Sequence, residues 1–482
     1  MRPSLTLLDP GLLDRILEEA FTLLERPGVR VQGSAAPDLL AAAGARLENG
    51  VAHIPEELAR RALASVPTEF FLHDRSGHAC VRYGGDSVHF DPGSSCVHVL
   101  DPESGEHRES LAADLVRLVQ VAEMLPEFAA QSTALVCGDV PKDIGDLYRL
   151  FLVLLYSEKP VVTGAFTASA VRVMVDLLTA EAGGPDSLRR RPRAIFDVCP
   201  SPPLHWSEFA SDSLVELARA GVPAEIVSVP LAGAAAPVTL AGAVVQHAAE
   251  LLAGVTISQL AAPRAPVVWG GAPSIFDMRT GTTPMGAVET AMIDLACAEV
   301  GKRLGLPTHA YLGGSDAKRV DVQAGMESAT ALMLGALAGI NMISGAGMLD
   351  FLGCQSAEKL VLDAEAIASA RRLLDGITAR TDSLAVAMFE RVGPAGDFLK
   401  LPDTRRLFRV EQHLPSAVID RGSLRAWEEA GRHDAFARAG KRVTELLAAY
   451  RRPNLPPDVR RGLFAVVEPL AAKAGLDGLP GT

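Results

Sequence analysis

The chain has 482 residues, enough for one large domain with extensions or for two to three ordinary domains. Hydrophobic residues make up 48% and charged residues 22%, which excludes a disordered chain and allows a large core. A formal charge of −12 repels phosphate backbones and argues against nucleic acid as a partner.

From Leu5 to about Leu125 the pattern is mixed. Leu12, Ile16, Leu17, Ala20, Leu23 and Leu24 recur at helical spacing, and Pro27-Gly28 ends that helix. Phe70-Leu72, Ala79-Tyr83, Val88-Phe90 and Cys96-Leu100 read as short strands between glycine-bearing turns. Residues 1–127 are therefore expected to form an N-terminal extension of helices with a small antiparallel sheet. From Phe128 to about Gly376 the rhythm changes to short apolar strands alternating with longer helical patterns. The expected strands are Ala134-Cys137, Val161-Thr163, Ala194-Val198, Ala224-Val229, Val267-Trp269, Thr308-Leu312 and Asn341-Ser344, with a weaker eighth unit near Gly353-Leu362. Repeated strand–helix units imply parallel strands, and this number suits a closed (β/α)8 TIM barrel over residues 128–384 better than an open sheet. No GxGxxG follows the first strand, which counts against a dinucleotide fold. Residues 385–482 read as a helical segment with proline joints, packed on the barrel or on a partner subunit.

Six scattered cysteines without a CxxC pair fit a reducing compartment, and Met1–Asp14 has no signal-peptide core, so a cytoplasmic protein is expected. The uncharged stretch Ala331–Leu349 is interrupted by Gly335, Gly339, Gly345 and Gly347, and reads as a helix, a glycine stop and a buried strand rather than a membrane span.

In a barrel of this kind the active site lies at the C-terminal ends of the strands. The loops there are rich in small residues, including Gly233, Gly271, Gly313, Gly314 and Gly345. Taken singly each is a tight turn; together they would leave a wide mouth where backbone can approach a large flat ligand.

Four runs carry a resemblance: Pro237–Gly242 (PVTLAG), Phe276–Gly281 (FDMRTG), Ser315–Lys318 (SDAK) with Asp321–Gly325 (DVQAG), and Glu358–Asp363 (EKLVLD). Together and in this order they resemble the trimethylamine methyltransferase family, most densely from Pro200 to Ile367. The resemblance implies a barrel that hands a methyl group from an amine to the cobalt of a corrinoid (cobalamin) carried by a separate protein. Founding members that use trimethylamine carry pyrrolysine in the barrel. This chain is written in the common twenty residues and is more similar to glycine betaine methyltransferase-like members. The other reading is a diverged barrel that binds a quaternary amine, or scaffolds a complex, without turnover.

A quaternary nitrogen loses its charge as the methyl group leaves, so a tight carboxylate contact would favour the ground state, whereas aromatic faces hold the cation more gently. Phe90, Trp206, Phe276, Tyr311 and Phe351 are the candidate rings, although for each taken singly ordinary core packing is the favoured reading. A substrate carboxylate would need a donor, with Arg279 first, His205 second and Arg319 third; pairing of Arg279 with Asp277 is the alternative. Asp316, Gln323 and Glu327 are the candidates for catalytic polar contacts. Asp321 is read as a helix cap. Glu358-Lys359 is read as a structural ion pair. His78, Cys80, Cys96 and His98 do not have a zinc-ligand spacing, so no metal is expected. A homo-oligomer is expected, and no membrane partner.

Overall fold

Short apolar runs ending near glycine or proline make the strands, and apolar residues recurring every three to four positions make the helices. In the computed structural model, which describes residues 2–482, eight strands are each followed by a helix. The strands are β1 (His89–Pro92), β2 (Gln131–Ser132), β3 (Val161–Gly164), β4 (Ala194–Val198), β5 (Ala224–Ser228), β6 (Val267–Gly271), β7 (His309–Tyr311) and β8 (Met342–Ala346). The helices that follow are α1 (Ala112–Glu123), α2 (Gly145–Tyr156), α3 (Ala168–Ala182), α4 (Glu208–Ala220), α5 (Leu240–Ala261), α6 (Val288–Arg303), α7 (Val322–Leu337) and α8 (Ala357–Leu374). Several helix starts carry the caps their sequences call for: Thr167, Ser207, Thr239, Asp321 and Ser356 each accept a backbone N–H of the following turn.

The chain has a mixed α/β fold. Strands β2 to β6 form one parallel sheet in chain order, and β7, β8 and β1 form a second. Two contacts link these sheets. Trp269 of β6 makes a parallel bridge to Thr308, just before β7. The Ala129 N–H, just before β2, donates to Phe90 O of β1 at 2.9 Å.

Two strands differ from expectation. Strand β2 lies earlier than Ala134-Cys137; Leu135 is buried, but there the chain meets only Cys96 through a single bridge. Apolar runs report burial, and pairing depends on where a neighbouring ladder ends. Near Gly353, Cys354–Gln355 is a two-residue strand in a small separate sheet with Met348–Leu349 and His98–Leu100. The neighbour of β8 is instead β1, a strand expected at Val88-Phe90 but assigned to the N-terminal sheet.

The strand starts are sealed by the antiparallel hairpin Phe70–His73/Ala79–Tyr83. Its Leu72, Val81 and Tyr83 pack with Ala130, Val162, Ile195, Val268 and Met342, and Phe70 stacks on Tyr83 at 4.9 Å. Each of the large aliphatic side chains among them contributes roughly 1.5–3 kcal/mol. Helix α5 is long and apolar enough to cross a membrane, yet 83% of its most apolar window is buried inside the protein. The helices Pro10–Glu25 and Glu56–Ser65 cover it, which explains why it is apolar on every side. The chain closes with α9 (Val386–Val392), α10 (Pro402–Glu411), α11 (Leu424–Glu429), α12 (Ala435–Ala449) and α13 (Pro457–Lys473); α12 packs along α8 and α13 along α3.

Candidate functional site

With the strand starts sealed, the polar interior lies toward the strand ends. Five strands contribute one connected cluster there. Tyr311 of β7 donates to Asp197 Oδ2 of β4 at 3.3 Å. Asp197 and Glu225 stand in register on β4 and β5, so that their buried carboxyl groups act on each other. His309 of β7 lies 3.0 Å from Ser344 Oγ of β8, and Ser344 donates to Asp91 Oδ1 of β1 at 2.5 Å. His309 Nε2 is also 3.8 Å from Glu225 Oε2.

Two carboxyl groups buried beside each other do not both ionise, so one keeps a proton. Burial, reinforced by Asp197, pushes Glu225 well above the usual carboxylate range, so Glu225 holds that proton. Burial raises Asp197 to about 6, while Glu225 and the Tyr311 bond favour the charged form. Asp91 is pushed well up, again by burial first. Burial lowers His309 to about 3, so the ring is neutral at pH 7. His309 Nδ1 is buried and unpartnered among the described residues. At neutral pH the cluster therefore carries one carboxylate charge, on Asp197.

Asp197 Oδ1 is buried without a hydrogen-bond partner among the described residues, while Oδ2 takes the Tyr311 bond. Asp197 and Tyr311 are half-buried, whereas Asp91, Glu225 and His309 are buried. Cys199, two residues past Asp197, is exposed, yet the surrounding protein pushes its thiol up to about 12. Both facts fit a side chain on the wall of a recess. Nearby, the buried Arg149 of α2 donates to Ser95 Oγ at 2.9 Å and Thr133 O at 3.0 Å. Its guanidinium lies 4.7 Å from the ring centre of the exposed Phe166, in the loop after β3. Burial lowers Arg149 to about 10, so it stays charged at neutral pH.

Of the residues expected from sequence, Tyr311 is the one placed in this cluster. Phe276 sits half-buried beside Gly233 in the loops after β5 and β6. Phe90 is fully buried, with Arg371 5.7 Å from its ring centre. Trp206 is fully buried against Gly254 of α5 and donates to Glu250 O at 3.1 Å. His205 belongs to the N-terminal sheet, opposite Arg30, with Nε2 3.1 Å from Gln32 Oε1. Phe351 lies under Lys318, whose Nζ is 3.7 Å from the ring centre. Arg279 is exposed and forks onto Asp277 at 2.6 and 3.0 Å, as the alternative reading had it. Arg319 is exposed.

Asp316 accepts the Met285 and Gly286 N–H groups at 2.7 and 3.0 Å. Glu327 accepts from Ser315 Oγ, the Asp316 N–H and Gln323 Nε2. These residues tie the β7 loop to the start of α6. Asp321 caps α7, as read. Lys359 pairs with Asp363 and not with its neighbour Glu358, because residues four apart share a helix face and adjacent ones diverge. Four of the five loop glycines make room for protein. A Cβ on Gly313 would meet Ala346 N at 2.5 Å, one on Gly314 Leu352 Cδ2 at 2.5 Å, one on Gly345 Gly314 N at 2.9 Å, and one on Gly271 His247 Nε2 at 2.6 Å. Only Gly233, at φ +94°, has no atom closer than 3.7 Å. Among the described residues no group of three or more His, Cys, Asp or Glu side chains is placed to hold a metal ion.

The sequence reading missed Asp91, Asp197, Glu225, His309, Ser344 and Arg149. The usable signal was a charged residue inside an apolar strand, as in Ala-Ile-Phe-Asp-Val and Ala-Glu-Ile-Val-Ser. Arg149 had the same mark, a charged residue just before the apolar run Leu150–Leu155 of its helix.

Residues 1–474 match the family model described as trimethylamine methyltransferase (MTTB). The chain belongs to that family. A trimethylamine methyltransferase MttB1 of Methanosarcina mazei is 31% identical over 476 residues, covering 96% of this chain and 95% of its own. A glycine betaine methyltransferase of Desulfitobacterium hafniense is 28% identical over 475 residues, 98% of each chain. In fold, the chain is similar to the crystal structure of the monomethylamine methyltransferase MtmB of Methanosarcina barkeri, with a TM-score of 0.55 at 13% identity over 92% of this chain and 89% of that one.

Proposed function

We propose that this chain moves a methyl group from a small quaternary or tertiary amine, such as a betaine, to the cobalt(I) of a corrinoid carried by a partner protein. Near-full-length similarity to methyltransferases of trimethylamine and of glycine betaine supports the reaction class. The strand order and the two contacts that link the sheets favour reading the eight strands as a closed (β/α)8 barrel, with chemistry at the strand ends.

The observation that carries the reading is the hydrogen bond from Tyr311 to the Asp197 carboxylate, both residues being half-buried in the interior. The recess holds more acid and fewer rings than the sequence suggested. Yet it offers a cation only one charge, already shared with the Tyr311 hydroxyl. A carboxylate engaged in this way attracts the cation without holding it so tightly that transfer suffers. In the transfer the C–N bond breaks with its electron pair passing to nitrogen, so the leaving amine is neutral and needs no acid. Asp197 and Tyr311 orient the cation and the sealed floor excludes water from below. The Arg149 charge near the mouth is the best placed in the recess to steer a substrate carboxylate.

The corrinoid is a co-substrate brought by the partner, and the mouth suits a partner. Phe166, Val229, Val238, Met278, Val322 and Met326 are exposed on the loops and helix starts that follow the strands. Such apolar exposure at a rim marks a surface that another protein covers. The test is to mix the chain with reduced cobalamin, free or on a corrinoid protein, and follow methylcobalamin by absorbance across a panel of methylated amines. Formation with one amine and not its demethylated product is expected; no methylcobalamin with any methylated amine overturns the proposal.

A further inference from the structure

Just past β8 the chain turns at residues 350–352, between the antiparallel partners Met348–Leu349 and Cys354–Gln355. Asp350, Phe351 and Leu352 have φ of +50°, +53° and +69°, the one run of three left-handed non-glycine residues among those described. Aspartate enters this region readily, whereas Phe351 and Leu352 are strained there. Each strained residue disfavours the turn by a factor of about five to thirty. Such strain persists only where surrounding contacts hold it, and it gathers at active sites and switches.

The contacts that hold this turn come from two other strand ends, so the turn is a strap between them. On one side, in the loop after β7, the Leu352 side chain fills the space over Gly314, where a Cβ would lie 2.5 Å from Leu352 Cδ2. The Asp350 N–H donates to Ala317 O of the same loop at 3.0 Å. On the other side, past β1, Cys96 Sγ donates to Leu352 O at 3.2 Å and the His98 N–H to Gly353 O at 3.1 Å. Lys318 adds a clasp: its Nζ is 3.7 Å from the centre of the Phe351 ring and 3.4 Å from Asp350 Oδ1. The Lys318 and Asp350 side chains are 56% and 32% exposed, so water weakens the clasp. Strain and fastening thus oppose each other, which is what a two-state element needs.

The polar atoms of the recess are covered in this state: Asp91, Glu225 and His309 are buried, as is Asp197 Oδ1. A methyl group that leaves such a place for a corrinoid on another protein needs a loop at the strand ends to give way. We propose that the strap 350–352 is that moving part, seated on Gly314 and Cys96 while the recess is closed and lifted off them when it opens. The inference rests on the reading that the chemistry lies at the strand ends. Strain stored in the seated form offsets part of what lifting loses in contacts, so the open form stays within reach.

Two buried free thiols, Cys96 and Cys354, flank the strap and report its position, while the buried Cys297 of α6 reports global unfolding. The experiment is alkylation of the folded full chain with iodoacetamide, followed cysteine by cysteine by peptide mass spectrometry. In wild type Cys96 and Cys354 are expected to react about tenfold or more ahead of Cys297, as local opening requires. Lys318→Met removes the clasp and is expected to speed them about threefold. Leu352→Gly and Leu352→Ala lose the same packing, but only glycine relieves the strain. The glycine variant is therefore expected to react about threefold more slowly than the alanine variant, and to form methylcobalamin more slowly too. Wild-type Cys96 and Cys354 that react no faster than Cys297 overturn the proposal. So does a Lys318→Met rate equal to that of wild type, or a glycine variant that matches the alanine one. The labelling needs no turnover, so its failure is distinct from a failure of the methyl-transfer reaction.

Discussion

Tyr311 of β7 and Asp197 of β4 are joined by a 3.3 Å hydrogen bond, although their strands are neighbours in neither sheet. The bond reaches across the interior and, with Glu225, keeps Asp197 from staying neutral there. Hydrogen bonds to charged groups contribute about 1.5–3 kcal/mol, which is one to two units of pKa. Tyr311→Phe should therefore move the acid limb of the amine-binding profile upward by about one to two pH units, and weaken binding about two- to tenfold at pH 7. The measurement is KM for the methylated amine against pH. An unmoved limb would show that the phenol does not support the carboxylate.

Asp197 itself sets a pH dependence whose sign differs between binding and stability. Its folded pKa, about 6, lies above the ordinary value of 3.8. Amine binding uses the charged form, so affinity should fall as pH drops through about 6. Folding prefers the neutral form. The stabilisation is complete below the unfolded value and is lost as pH rises through the folded one. Asp197→Asn should thus raise stability relative to wild type more at pH 8 than at pH 4, and should abolish the acid limb of binding. Urea unfolding at the two pH values checks the first statement, and titration calorimetry with the amine checks the second.

The alternation of strands and helices was legible because buried parallel strands are apolar runs and the covering helices keep their period. Residues 194–198, 224–228 and 267–271 fell where expected for that reason. Strand β1 was not legible as part of that alternation: it pairs with β8, some 250 residues later, and no local pattern reports so distant a partner. The site was harder still. Trp206 and Phe90 follow the composition expected of a cage, but a ring at a strand end can point to either layer. Trp206 turned outward because Gly254 leaves it a place on α5: a Cβ there would lie 2.3 Å from Trp206 Cζ2. Asp316 and Glu327 are polar and near a strand end, as a catalytic group would be, yet backbone N–H groups occupy the oxygens of Asp316, and Ser315, Gln323 and the Asp316 N–H those of Glu327.

Those bonds give Asp316 a role that can be measured apart from chemistry. Its two oxygens bind the Met285 and Gly286 N–H groups and so fix the start of α6 against the β7 loop. Asp316→Ala leaves both N–H groups without these acceptors and should lower stability by about 1–3 kcal/mol. If the role is positional, Asp316→Asn, which keeps one carbonyl acceptor, should recover a good part of that loss and most of the methyl transfer. Equal inactivity of the two variants, with stability unchanged, would instead place Asp316 in the chemistry.

Lys359 anchors the other side of the strand ends from within the wall. Its Nζ reaches Asp363 Oδ2 at 2.7 Å, Ser328 Oγ at 2.7 Å and Gly313 O at 3.1 Å, and Asp363 Oδ2 also accepts the Gly347 N–H at 2.7 Å. The pair thus holds the loops after β7 and β8 onto α7 and α8. Both side chains are nearly fully buried, so removing one leaves an uncompensated charge in the wall. Lys359→Met should destabilise the fold by about 3–5 kcal/mol, while Lys359→Met with Asp363→Leu should be far milder because it removes both charges. Denaturant unfolding of the two variants decides the matter. If the double variant is as unstable as the single one, the bonds to Gly313 and Gly347, rather than the unpaired charge, carry the stabilisation.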